Sequence, residues 1–156
     1  MKKYIKFPNL CTVPPIRVSR DVRCAIMCTI GALPAETGGI LLGPVGGMDI
    51  TDFYFDGTAS CSGGTYSPDY ITLRRKMKEE WIPTGLDMKG FVHSHPGGFD
   101  RLSHGDMEYI GRLLAKNSDL SFFAAPIVLP ESFRLSAFVV LAHEPTVQRR
   151  TTLKLF

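Results

Sequence analysis

The stretch that decides the fold is Gly90-Phe91-Val92-His93-Ser94-His95-Pro96, followed by Ser103-His104-Gly105-Asp106. Met88 to His93 reads as a strand whose end carries a histidine pair. Side chains alternate along an extended segment, so His93 and His95 point to the same side and can converge on one ion. Pro96 to Leu102 is a loop in which Gly97 and Gly98 permit tight backbone geometry, and it gives the chain room to fold back. Asp106 then arrives from the first turn of a helix expected over Ser103 to Lys116. Zinc takes imidazole nitrogen and carboxylate oxygen readily, and a catalytic zinc site keeps three protein ligands and one open position. Each part has a plainer reading. Ser103-x-x-Asp106 is also a helix capping box in outline, and a lone His-x-His occurs often on strand surfaces. Capping and ligation are compatible, because a cap holds Ser103 rigidly next to the ligand. The combination at this spacing decides for metal.

Working outward, Glu36 precedes Thr37-Gly38-Gly39-Ile40-Leu41-Leu42-Gly43. Gly38 to Leu42 and Ile50 to Phe55 read as a hairpin joined by a Gly/Pro-rich turn at Gly43 to Gly47. Ser19 to Ile30 reads as a helix with Ser19 as N-cap, Val22, Ala25, Ile26 and Ile30 inward, and Gly31 and Pro34 ending it. Lys3 to Phe7 reads as a short strand, and Cys61 to Ser67 as a Gly/Ser-rich loop. Pro68 to Trp81 reads as a helix with Pro68 near its first turn. In the helix after the loop, Met107, Ile110, Leu113 and Leu114 should face inward. Phe122 to Leu129 and Arg134 to Leu141 are two apolar strands paired across Pro130-Glu131, and the pattern assigns nothing after Pro145. Strands and helices mix without a βαβ rhythm, so the class is α+β with helices around one sheet.

Bulk properties agree. The chain of 156 residues suits a single domain spanning 1–156, and 44% hydrophobic with 21% charged residues is enough to fill a core. A net charge of +3 with scattered basic residues argues against nucleic acid. Lys6 and Pro8 interrupt any apolar signal region, and no apolar run approaches the roughly 20 residues of a membrane span. The expectation is therefore a cytoplasmic protein with reduced thiols. Cys24 and Cys28 share a helix face without a second Cys or His pair, so core packing is expected over a metal role. His104 is expected to be an exposed first-turn residue and His143 structural.

Glu36 before the glycine-rich strand, the Gly90 to Pro96 segment and Ser103-x-x-Asp106 together resemble the JAMM (JAB/MPN-plus) metalloprotease motif. Every catalytic position of that pattern is filled. The resemblance implies a cytidine-deaminase-like α+β fold, a curved mixed sheet flanked by helices. It implies one zinc ion per chain on His93, His95 and Asp106, with water as fourth ligand. Glu36 would then be the general base and Ser103 the oxyanion donor. Zinc lowers the pKa of bound water to about 7, which makes hydroxide available at neutral pH. Family members cleave isopeptide or peptide bonds after the C-terminal glycine of ubiquitin or ubiquitin-like proteins. The short chain looks most like the small prokaryotic members, which often accompany E1-like and E2-like proteins or sulfur carriers, some of them in antiphage-defence operons.

The partner expected on this basis is a ubiquitin-like protein or its conjugates, bound as an extended tail by β-augmentation. Residues 61–85 are where the family places a variable insertion. Arg74, Arg75, Lys76 and Trp81 are candidate contacts there, with Trp81 equally readable as core, and Phe99 and Arg101 are candidates for gating the site. Two hydrolase alternatives share the chemistry: processing of a sulfur carrier and hydrolysis of a small amide. A nucleoside deaminase would need His-x-Glu with a downstream Pro-Cys-x-x-Cys, which the chain lacks. A binding scaffold without catalysis would be expected to have lost ligands that this chain retains.

Overall fold

The computed structural model describes residues 13–32, 36–57, 60–62 and 65–156, with the backbone alone for 60–62 and 65–67. The strand expected at Lys3 to Phe7 and the breaker Pro34 lie outside these residues. In chain order the elements are β1 (Ile16–Val18), α1 (Arg20–Thr29), β2 (Gly38–Pro44), β3 (Asp52–Phe55), β4 (Ser60–Ser62), β5 (Thr65–Ser67), α2 (Tyr70–Lys76) and β6 (Leu86–Ser94). They continue with α3 (His104–Lys116), β7 (Phe122–Ala124), β8 (Ile127–Leu129), β9 (Arg134–Ser136), β10 (Phe138–Leu141), β11 (Gln148–Arg150) and β12 (Leu153–Leu155).

The main sheet runs β11-β10-β7-β6-β2-β3, with β8 also beside β6 and β9 beside β8. β6 pairs antiparallel with β2 but parallel with β7 and β8, so the sheet is mixed, and helices flank it: an α+β fold. The parallel seam is tight. A Cβ at Gly90 would meet the Ala124 carbonyl oxygen at 1.7 Å, so only glycine fits there. Period-2 alternation splits the core in two. Ile40, Leu42, Phe91 and Phe123 face α2 and α3, packing with Leu73, Trp81, Ile110, Leu113 and Leu114. Leu41, Val92, Ala124 and Val139 face α1, packing with Val22, Ile26, Met27 and Ile30. Each Val, Leu, Ile, Phe or Met among them contributes about 1.5–3 kcal/mol when fully buried.

Among the described residues the expected helices and strands form, with instructive departures. Ser19 caps α1 by accepting the Val22 N–H at 3.2 Å. Ala25 faces solvent and Met27 takes the inward place. Cys24 and Cys28 are exposed, not core, with their sulfurs 3.9 Å apart. The expected Gly/Ser loop contains a small hairpin, β4 against β5. The expected helix from Pro68 begins at Tyr70, because the Asp69 side chain caps it by accepting the Thr72 N–H. It then loosens into a π turn at Met77–Trp81 and a 3-10 turn at Ile82–Thr84.

Each of the two long C-terminal strands is broken in two. Pro126 has no N–H to give the ladder, which interrupts the first, while the Ala125 N–H still reaches the Phe138 carbonyl at 2.8 Å. The tail after Pro145 supplies β11 to the main sheet and β12 as the parallel partner of β1. Among the described residues no helix is long and apolar enough to cross a membrane.

Candidate metal centre

Strand register assembles the site. In the β2/β6 ladder Gly38 faces His93 and Ile40 faces Phe91. The pairing continues past the strand end. The Ser94 N–H reaches the Thr37 carbonyl at 2.9 Å, and the Thr37 N–H reaches Ser94 Oγ at 3.1 Å. Continuing the same register places Glu36 opposite His95 and on its side of the sheet. The backbone of His95 is held in turn by its N–H on the Val128 carbonyl at 2.9 Å. Glu36 therefore comes to the histidines through β2, although 57 residues separate it from His93 in sequence.

Asp106 comes from the other direction. Ser103 is the N-cap of α3 and its capping box is complete: Ser103 Oγ accepts the Asp106 N–H at 3.1 Å, and the Ser103 N–H is donated to Asp106 Oδ2 at 2.8 Å. The cap uses Ser103 Oγ as an acceptor, so its O–H remains available as a donor. Met107, expected inward, is half-buried and packs against the core formed with Ile110, Leu113 and Leu114, and Asp106 is buried on the same helix. Ordinary capping chemistry thus brings a carboxylate into the interior.

The donor atoms converge. His93 Nε2 and His95 Nε2 are 2.8 Å apart, and Asp106 Oδ2 lies 3.1 Å from the first and 3.3 Å from the second. A zinc ion holding tetrahedral ligands at 2.0–2.1 Å spaces them roughly 3.3 Å apart; the two edges to Asp106 come close to that spacing, and the edge between the histidines is shorter. Glu36 Oε1 lies 4.0 Å from His93 Nε2, and all four groups offer a donor atom within 4.8 Å of the others. All four residues are buried, with Glu36 the most accessible at 9%.

Second contacts tune the triangle. His95 Nδ1 lies 2.8 Å from the Phe99 carbonyl, which can only accept. Nδ1 therefore donates a hydrogen to that carbonyl, which fixes the ring with Nε2 facing inward, where a metal would take its lone pair. Burial pushes the Asp106 carboxyl up, but hydrogen bonds from His93, His95 and the Ser103 N–H outweigh it and hold the group well below the usual carboxylate range. Burial also disfavours a charged His95, yet Asp106, the Phe99 carbonyl and Glu36 outweigh this and raise its pKa.

The other sequence candidates are placed differently. Trp81 is 8% exposed and packs its ring 5.5 Å from that of Tyr54, so it is core and not a surface contact. Arg74 is exposed on α2. Phe99 is half exposed, its ring 5.6 Å from that of His95, and its backbone carbonyl is what serves the site. Arg101 is exposed. The loop carrying both is pinned at Gly97, Asp100 and Leu102 by side-chain hydrogen bonds, which does not suit the expected gate. His104 is exposed as expected and pairs with Glu108 at 3.2 Å, while His143 is exposed at the strand end. The Phe99 carbonyl and the pinning side chains carry no sequence signal.

A cleft of about 480 Å³ lies between α2 and α3, floored by Ile40, Met88, Phe91 and Phe123. Arg74, Lys78 and Lys116 are among the charged residues on its walls. The Phe91 ring stacks 5.1 Å from His93, so cleft and donor triangle share one face of β6.

No protein-family model and no curated protein matches the chain. Solved structures do. Protein DSY2949 from Desulfitobacterium hafniense superposes with a TM-score of 0.66 at 19% identity, over 90% of this chain and 92% of that one. AF2198 from Archaeoglobus fulgidus, a JAB1/MPN domain protein, superposes with a TM-score of 0.53 at 15% identity, over 92% of this chain and all of that one. The fold of this chain is that of a JAB1/MPN domain, and a buried Glu-His-His-Asp cluster able to hold a metal ion lies within it.

Proposed function

We propose that the chain is a zinc-dependent peptidase that cleaves the amide or isopeptide bond after the C-terminal glycine of a ubiquitin-like protein. The observation that carries this reading is the convergence of Glu36, His93, His95 and Asp106 inside a JAB1/MPN fold. His93, His95 and Asp106 would hold one zinc ion. Bound there, zinc supplies Lewis acidity toward an amide oxygen and toward water. Glu36 Oε1, at 4.0 Å from His93 Nε2, can stand outside the ligand set. It takes a proton from the attacking water and returns it to the leaving amine. The Ser103 O–H, left available by its cap geometry, donates to the developing tetrahedral oxygen, a contact typically worth about 3 kcal/mol.

Recognition belongs to residues 60–84. Among the described residues the β4/β5 hairpin pairs with no third strand, so an extended tail can add to it. Tyr70, Ile71 and Ile82 of the following segment are 49%, 82% and 43% exposed, an apolar surface suited to a protein partner. Conjugates assembled by E1-like and E2-like proteins are the expected source of substrate.

The test uses a ubiquitin-like protein from the same genomic neighbourhood, fused through its C-terminal glycine to a reporter. Cleavage by wild type, and none by Glu36→Gln or by chelator-treated protein, is the expected pattern. Cleavage that survives both treatments would rule the mechanism out. Cleavage of a sulfur-carrier fusion alone would keep the chemistry and change the substrate.

A further inference from the structure

We infer that β11 is a positioning clamp for the metal-binding loop and that Gln148 is its central residue. The inference rests on the proposal that His93, His95 and Asp106 hold zinc. The loop between the second histidine and the N-cap contains Gly97 and Gly98 at φ 89° and 78°, with open space around both. A segment of that kind has little of its own to hold it. It must nevertheless deliver Asp106 Oδ2 to within 3.1 Å of His93 Nε2.

The tail of the chain supplies the missing restraint. Gln148 Oε1 accepts the Leu102 N–H at 2.8 Å, and Gln148 Nε2 donates to the Leu102 carbonyl at 3.0 Å. One carboxamide thus satisfies both polar groups of the residue just before Ser103, as a neighbouring strand would. The Leu102 side chain is 2% exposed, so the residue is fixed from its other side as well. Arg150 adds two contacts, donating to the Asp100 carbonyl at 3.0 Å and to its carboxylate at 3.3 Å. Arg134 also binds that carboxylate, and Glu131 accepts the Gly97 N–H at 2.7 Å.

Strand parity makes the assignment specific. β11 is held against β10 by the pairs Phe138 with Arg150 and Val140 with Gln148. Gln148 and Arg150 reach the loop, while Arg149 between them binds Glu144, its one hydrogen-bonding and ion-pair partner through the side chain among the described residues. Displacing the Leu102 peptide moves the Ser103 hydroxyl and, through the capping box, the Asp106 carboxylate. Gln148 acts through these groups and is a positioning residue, not a catalytic one.

The test compares Gln148→Met with Arg149→Met, both shape-conserving changes on one strand. Zinc affinity is measured on folded protein by chelator competition, alongside the melting temperature of the metal-free protein. Gln148→Met is expected to weaken zinc binding about tenfold or more, the scale of outer contacts around metal ligands. Arg149→Met is expected to stay within about twofold of wild type. Arg150→Gln, at the more exposed end of the clamp, moves affinity in the same direction by less and gives a second reading if Gln148→Met does not fold. Wild-type zinc affinity in folded Gln148→Met and Arg150→Gln, or equal weakening by Arg149→Met, would overturn the clamp alone. Absence of zinc binding by wild type would overturn the metal site and the clamp together.

Discussion

Two regions on the same face of the sheet are built in opposite ways. Around the loop from Pro96 to Leu102, polar groups are committed: the Phe99 carbonyl to His95, Leu102 to Gln148, and Asp100 to Arg134 and Arg150. Across the cleft, the segment from Tyr70 to Thr84 passes from α-helix to π turn to 3-10 turn, and it leaves Ile71 82% exposed. The contrast follows from what each region must do. Chemistry at a metal needs donor atoms held to within about 0.5 Å. A recognition surface needs exposed apolar area that a partner covers.

The largest expected effects lie in the rigid region. His95→Ala should lose both zinc and cleavage. Glu36→Gln should keep zinc, with kcat falling by about 10²–10⁴. Zinc loss from the Glu36 variant would make it a ligand and break the division of roles. Ser103→Ala should lower kcat by about 10²–10³ and, through the lost cap, lower stability by ~1 kcal/mol. Denaturant titration and kinetics on one preparation separate the two effects. If stability falls and kcat does not, Ser103 is a cap only.

Across the cleft the signature should differ. Ile71→Asp should raise KM several-fold, up to about tenfold, with kcat and melting temperature nearly unchanged. An equal fall in kcat would mean that the two regions are not separable. The smallest effect concerns Asp100. Burial pushes its carboxyl up, but Ser136 and the Arg150 and Arg134 guanidiniums outweigh this and set its pKa below the usual value. Its stabilising contribution is then complete above the unfolded-state value near 4, and it is lost as pH falls below that toward the depressed folded value. Asp100→Asn should flatten the acid limb of the melting-temperature profile slightly. A limb as steep as that of wild type would mean that the loop clamp does not titrate.

The rigid region was also the legible one. His93 and His95 declare themselves because a two-residue strand period puts them on one side, and Ser103 and Asp106 because a capping box has fixed spacing. The start of α1 follows from Ser19 for the same local reason. What stayed hidden depends on distant parts of the chain. Gln148 reaches Leu102 across 46 residues, and the short strand that carries it has no hydrophobic pattern of its own. Trp81, readable from the sequence as contact or core, is core, with its ring 5.5 Å from that of Tyr54. Cys24 and Cys28 do share a face of α1, but it is the one opposite the buried Val22 and Ile26.

The most direct test of the central claim is zinc stoichiometry by equilibrium dialysis on wild type, Glu36→Gln, His95→Ala and Asp106→Asn, each checked for folding. The account predicts one zinc per chain in wild type and Glu36→Gln, and none in the other two. Equal zinc content in all four, or none in wild type, would contradict it.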